Sequence, residues 1–238
     1  MHIHERSMTK IVKERQKNKL WKEKGFDKLL SSPFPTCESF TKKGGIMKRL
    51  VLASGSPRRK ELLEQMNLHF DIIVSGFEEH LSLSVPPAEL VKQLAYGKAN
   101  DVYANQSERV VIGADTVVTL DRNVLGKPES REHARQMLRA LSGRTHIVYS
   151  GVAILSHDKK VEFYEATEVT FWELTDEEIE TYLNTGESFD KAGGYGIQGF
   201  GAAFVKRIHG DYYSVVGLPI ARTLRELKAF GIVPEIQH

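Results

Sequence analysis

The chain has 238 residues, 41% of them hydrophobic and 27% charged, which suffices to bury a core for one large domain or two small lobes. A net charge of +2 conceals an uneven distribution: residues 1–46 carry 11 Lys and Arg against 5 Asp and Glu, leaving the rest at −4. The single cysteine, Cys37, excludes an internal disulfide and a Cys-rich zinc site; no run reaches the roughly 18 apolar residues of a membrane span, and no apolar secretory segment opens the chain, so a reducing cytoplasmic setting is expected.

Residues 1–46 read as a basic extension. Its charged, low-complexity stretch from Lys10 to Lys28 and the following Ser31-Ser32-Pro33-Phe34-Pro35 point to an unstructured or partly helical appendage. Few aromatics and no recognisable nucleic-acid module argue against a nucleic-acid partner. Codons such as AAA GGA GGA ATA ATG would encode Lys43-Gly44-Gly45-Ile46-Met47, a ribosome-binding site followed by a start, so Met47 is the expected natural start.

From Met47 the pattern alternates strands and helices. Arg49 to Ser54 is an apolar run read as a strand, and Pro57 to Met66 carries Leu62, Leu63 and Met66 at helical spacing. Between them, Ser54-Gly55-Ser56-Pro57-Arg58-Arg59 forms a helix start: Ser56 suits the cap and Pro57 the first turn. Two arginines at the positive end of a helix dipole cost a few tenths of a kcal/mol or more without an anion, which favours an anion site over a solvated basic turn.

A strand is expected around Ile72 to Val74, followed by Glu78-Glu79, a solvated pair or a source of a metal-binding carboxylate. Ala88 to Tyr103 reads as a helix in which Lys98 extends the stripe of Val91, Leu94, Ala95 and Val102. Lys98 therefore either snorkels at the edge of that face or aims its ammonium into a cleft.

Arg109 to Leu120 is a strand that runs through Val110-Val111-Ile112-Gly113-Ala114 into Asp115-Thr116. A carboxylate there is either structural, hydrogen-bonded to a neighbouring turn, or paired, metal-bound or serving as a base. With Asp121-Arg122-Asn123 as a three-residue loop, Leu120 faces Val124 and Val117 faces Lys127, so Asp115 and Lys127 share a face as diagonal neighbours. A one-residue slip would put them on opposite faces.

Ser130 to Leu141 is a helix closed by Gly143. Arg144 to Leu155 and Val161 to Trp172 are long strands joined by a polar turn, and Thr175 to Glu178 is a capping box that opens a helix ending near Gly186. Asp190-Lys191-Ala192-Gly193-Gly194-Tyr195-Gly196-Ile197-Gln198-Gly199 holds four glycines in ten residues without GxGxxG or Walker spacing, so it is a close-packed loop rather than a dinucleotide or P-loop motif. Gln198 either ties down its own loop or reads a uracil or thymine edge, whose N3–H and carbonyl complement its amide. Phe200 to Ile208 then reads as a strand and Leu218 to Phe230 as a closing helix. The class is α/β with a mixed sheet.

Leu52 to Arg59, Gly113-Ala114-Asp115-Thr116, Lys127-Pro128, Leu141-Ser142-Gly143-Arg144, Asp190 to Gly199 and Gly217-Leu218-Pro219 resemble, in order, the Maf family of nucleotide pyrophosphatases. The resemblance spans Lys48 to Gly231 and makes residues 47–238 the family domain. It implies a mixed twisted sheet with flanking helices in two lobes around a cleft, related to the inosine triphosphate pyrophosphatases, and a homodimer. It implies hydrolysis of a nucleoside triphosphate to the monophosphate and pyrophosphate, with dTTP and UTP, or modified pyrimidine nucleotides, as substrates. The 7-methylguanosine triphosphate branch is less similar, because it lacks the Tyr-Gly-Ile-Gln run.

By the same resemblance Asp115 is the catalytic base, and Arg58, Thr116 and Gln198 select the base. Ser54, Arg58, Lys98, Lys127 and Lys191 bind phosphate, and Glu79 with Asp115 holds a divalent cation, Mg²⁺ or Mn²⁺. The competing reading, also taken from the family, is a nucleotide-binding regulator of cell division and septum formation.

Overall fold

The computed structural model describes residues 49–78 and 85–235. The expectations for residues 1–46 and for Glu79 lie outside the described residues.

Among these, seven strands form one mixed sheet. Strand β1 (Leu50–Leu52) runs parallel to β2 (Phe70–Ile72) on one side and to β3 (Val110–Leu120) on the other. The short β4 (Asn123–Leu125) and the long β5 (Thr145–Leu155) both pair antiparallel with β3, and β6 (Lys160–Phe171) and β7 (Val205–His209) complete the far edge. Every residue of β3 except Thr116 is buried. That is why it reads as an almost unbroken apolar run: it is central, with helices on both faces.

Among the described residues six α-helices cover the sheet: α1 (Pro57–Gln65), α2 (Pro87–Tyr103), α3 (Arg131–Leu141), α4 (Asp176–Asn184), α5 (Tyr212–Val216) and α6 (Ile220–Lys228). On one face lie two cores. Leu62 and Leu63 of α1 and Leu227 of α6 meet Leu50, Leu52 and Ile112 in the first, while Leu138 of α3 and Ile179 of α4 meet Val118, Val148 and Phe171 in the second. A fully buried leucine contributes about 2–3 kcal/mol, so each side is held by its own apolar set and the space between them can stay open.

Helix α2 covers the opposite face, over Val111, Val117 and Ala153. It lies flat because the sheet offers no side chain beneath it at two points. A β-carbon on Gly113 would sit 2.4 Å from the Ala95 carbonyl oxygen, and one on Gly151 would sit 2.3 Å from that of Val91. Two glycines thus set the depth of the helix.

Several expectations need correction. The β3–β4 turn is two residues, not three: Leu120 pairs with Asn123, with Asp121 and Arg122 both at positive φ. The register is therefore one residue off the expected one, and the facing of Asp115 and Lys127 cannot follow from the hairpin. Strand β2 begins and ends two residues earlier than expected. Gly199–Phe204 is 3-10 helix, and the strand starts only at Val205. The five-residue α5 was not expected, and α6 is shorter than the range 218–230. The Thr175–Glu178 capping box closes its helix start as expected, and Ser130 caps α3 rather than forming its first residue.

Candidate active site

The site arises from a division along one edge of β3. While β5 pairs with it from Val111 to Thr119, the other edge is shared. β1 takes Val110 to Ile112, ending with the Ala53 amide on the Ile112 carbonyl at 2.8 Å, and β4 takes Val118 to Leu120. Among the described residues no strand covers Gly113 to Val117 on that side. A cavity of about 660 Å³ opens there, and its lining includes Ser54, Arg58, Lys98, Asp115, Thr116, Lys127, Lys191 and Gln198. Every described residue expected at the site is therefore in one cleft. Lys127 joins Asp115 in the cleft from beyond the end of β4 at Leu125, not because the two share a strand face.

Asp115 points to the α2 side. Since Gly151 stands opposite it in β5 and Gly113 precedes it by two, α2 comes close enough for Lys98 Nζ to donate to Asp115 Oδ1 at 2.5 Å. The side chains are 15% and 9% exposed. A pair this buried holds together because each ion offsets the desolvation of the other. Phe77 also lines the cleft, its ring occupying the space that a side chain at Gly97 would need.

On the opposite face of β3 the turn before α1 is built differently from the sequence expectation. Ser56 makes no side-chain cap; instead Ser54 Oγ accepts from the Ser56 amide at 3.2 Å. The two arginines also part company. Arg58 extends across the cleft to Asp190, Nη1 to Oδ2 at 3.1 Å. Arg59 is buried, donating from Nε to the Gly217 carbonyl at 2.8 Å, from Nη1 to Ser54 Oγ at 3.1 Å and from Nη2 to Thr116 Oγ1 at 3.3 Å. Sequence reasoning missed Arg59, yet its spacing to Leu62, Leu63 and Met66 places it on the apolar face of α1.

The glycine-rich loop forms the far wall. Gly193 and Gly194 adopt positive φ, and the Gly193 amide donates to the Gly126 carbonyl at 3.0 Å, which ties the loop to the end of β4. Lys191 Nζ reaches Asp190 Oδ1 at 2.6 Å and also the Glu187 carbonyl. Burial raises the Asp190 carboxyl, but its hydrogen bonds to Lys191 and Arg58 outweigh that and hold it below its ordinary value. Tyr195 anchors the loop from beneath through His146 Nε2 at 2.7 Å, in an aromatic nest with Phe171. Gln198 lies three residues beyond that anchor.

The arrangement can bind a polyanion. Cationic side chains from α1, α2, the β4 exit and the glycine-rich loop converge on one cleft, the first turn of α1 adds amides aimed outward, and a carboxylate sits at its centre. Among the described residues no group of three or more His, Cys, Asp or Glu side chains could hold a metal ion, and the carboxylates lining the cleft are Asp115 and Asp190.

Comparison with known proteins agrees in extent with this unit. A family model described as Maf-like protein matches residues 49–230. A Bacillus cereus (strain G9842) protein named dTTP/UTP pyrophosphatase is 58% identical over 186 residues, covering 78% of this chain and 97% of its own. Proteins of the same name from Bacillus cytotoxicus and Bacillus anthracis are 59% and 57% identical over 184 and 186 residues, covering 77% and 78% of this chain.

Proposed function

This chain belongs to the Maf family, and we propose that it hydrolyses dTTP and UTP to the nucleoside monophosphate and pyrophosphate. One observation carries the reading: Asp115, in the stretch of β3 that no described strand covers on one side, faces Lys98 in a cleft where Arg58, Lys127 and Lys191 also converge. The names of the relatives supply the substrates.

The residues divide the work by place. Arg58, Lys98, Lys127 and Lys191, with Ser54 in the turn, offset the roughly four negative charges of a triphosphate and the charge that develops on the leaving group. Water attacks the α-phosphorus, the bond from that phosphorus to the bridging oxygen breaks, and pyrophosphate leaves with the electron pair. Asp115 accepts the proton of the attacking water. In this reading Thr116, Gln198 and Arg58, which line the same cavity, meet the base.

A single central carboxylate among the described residues fits a divalent cation that arrives with the nucleotide. Mg²⁺ or Mn²⁺ would take Asp115 and phosphate oxygens as ligands and would polarise the phosphate under attack. Homodimerisation is carried over from the family resemblance and a cytoplasmic location from the single cysteine; among the described residues no helix is long and apolar enough to cross a membrane.

A panel of nucleoside triphosphates assayed for pyrophosphate release with Mg²⁺ tests the reading. Preferential turnover of dTTP and UTP is expected. Equal turnover of all bases, or none, would overturn it.

A further inference from the structure

Thr116 Oγ1 is the cleft end of a chain of hydroxyls, buried from Ser150 inward, whose proton directions are fixed by its inner end. Ser150 stands opposite Thr116 across the β3–β5 ladder and is fully buried. Its Oγ lies 2.6 Å from the carbonyl oxygen of Ser214. A carbonyl has no proton to give, so the one proton of Ser150 is committed there. The 2.7 Å contact between Ser150 Oγ and Thr116 Oγ1 must then use the proton of Thr116. Arg59 Nη2, which can only donate, occupies one of the two lone pairs of Thr116. A single lone pair is left for the cleft.

The inner end is well held. Ser214 is fully buried in α5, its hydroxyl donating to the Asp211 carbonyl at 2.9 Å and meeting Thr167 Oγ1 at 2.8 Å. Asp211 is in turn fixed by its amide on Thr167 Oγ1 at 3.0 Å. The Ser214 carbonyl therefore cannot turn away from Ser150 without undoing the start of α5.

We propose that Ser150 is a positioning residue that makes Thr116 a one-way acceptor, so that the cleft selects pyrimidines carrying an N3–H over cytosine. The proposal rests on the cleft being the base-reading site described above. A freely rotating threonine hydroxyl can both donate and accept, and would serve uracil and cytosine alike. With its proton held by Ser150, Thr116 completes a hydrogen bond with the N3–H of uracil or thymine but sets lone pair against lone pair at N3 of cytosine. Gln198 can then donate its amide to the neighbouring carbonyl of the base.

The test compares kcat/KM for UTP and CTP in the wild-type chain and in Ser150→Ala, with folding checked by thermal melting. The substitution releases the Thr116 proton, so the UTP to CTP ratio should fall at least tenfold, with a gain on CTP that general damage to the site would not produce. A folded Ser150→Ala protein with the wild-type ratio, or with both activities reduced in proportion, overturns the proposal. Should Ser150→Ala not fold, Ser150→Cys carries the same test: its thiol accepts weakly, so the ratio should fall at least threefold, and an unchanged ratio is contrary. A wild-type ratio near one overturns the base-reading site itself, and this proposal with it, whereas a high wild-type ratio that survives the substitution overturns the Ser150 role alone.

Discussion

Lys98 Nζ donates to Asp115 Oδ1 at 2.5 Å across the contact between α2 and β3, with both side chains largely buried. Removing one partner of such a pair leaves the other charge uncompensated, at a cost of about 3–5 kcal/mol. Lys98→Met should lose stability on this scale in urea unfolding. Lys98→Met with Asp115→Asn should lose less than the sum of the two single changes, giving a coupling energy above about 1 kcal/mol in a double-mutant cycle. Strict additivity would mean that the two groups do not hold each other.

The pair depends on how deeply α2 sits. In Gly151→Ala the new β-carbon would lie 2.3 Å from the Val91 carbonyl oxygen, and backbone cannot yield there as a side-chain tip could. Overpacking of this kind costs about 1–3 kcal/mol or more, and Lys98 should move outward with its helix. Lower melting temperature and a turnover loss beyond tenfold are expected together. Gly76→Ala is the stability control, because a β-carbon there meets nothing within 4 Å; it should change stability by less than about 0.5 kcal/mol.

His146 makes stability depend on pH. Burial pushes its imidazole down from 6.5 to about 4, so between those values the unfolded chain binds a proton that the native one refuses. Stability is therefore highest above pH 6.5 and declines as pH falls towards 4, by at most about 3 kcal/mol from this group. Unfolding free energies at pH 7 and pH 5 should differ less in His146→Gln, which can still meet the Tyr195 hydroxyl. An unchanged difference would mean that other groups cause it.

Much of this was legible in the sequence, for identifiable reasons. Long strands and helices announced themselves through periodicity, and Asp115 stood out because a carboxylate follows an apolar run. Lys98 was legible as part of a helical stripe. The β3–β4 register was not: a two-residue turn with positive φ at both positions favours Asn-Gly or Asp-Gly, and Asp121-Arg122 gives no such signal. Gly199–Phe204 misled because Phe200, Phe204 and Val205 look strand-like, and only packing shows the 3-10 turns. The separate fates of Arg58 and Arg59 follow from the helical phase of α1, a signal present in the sequence but unused. The hydroxyl chain from Thr116 through Ser150 to Ser214 joins three distant segments, so no local pattern could disclose it.

The base role of Asp115 separates chemistry from binding. Asp115→Asn keeps the shape of the side chain but cannot take the proton of water, so kcat should fall about 10²–10⁴-fold. Affinity for a non-hydrolysable dTTP analogue, measured by calorimetry, should change less than tenfold. Retained turnover would remove Asp115 from the chemistry.

The most direct test of the account is the identity of the products. The full chain, incubated with dTTP or UTP and Mg²⁺ in ¹⁸O-labelled water and followed by ³¹P NMR, should yield equal amounts of monophosphate and pyrophosphate, with the label in the monophosphate. Release of orthophosphate with the nucleoside diphosphate, or label in the pyrophosphate, would contradict attack at the α-phosphorus beside Asp115.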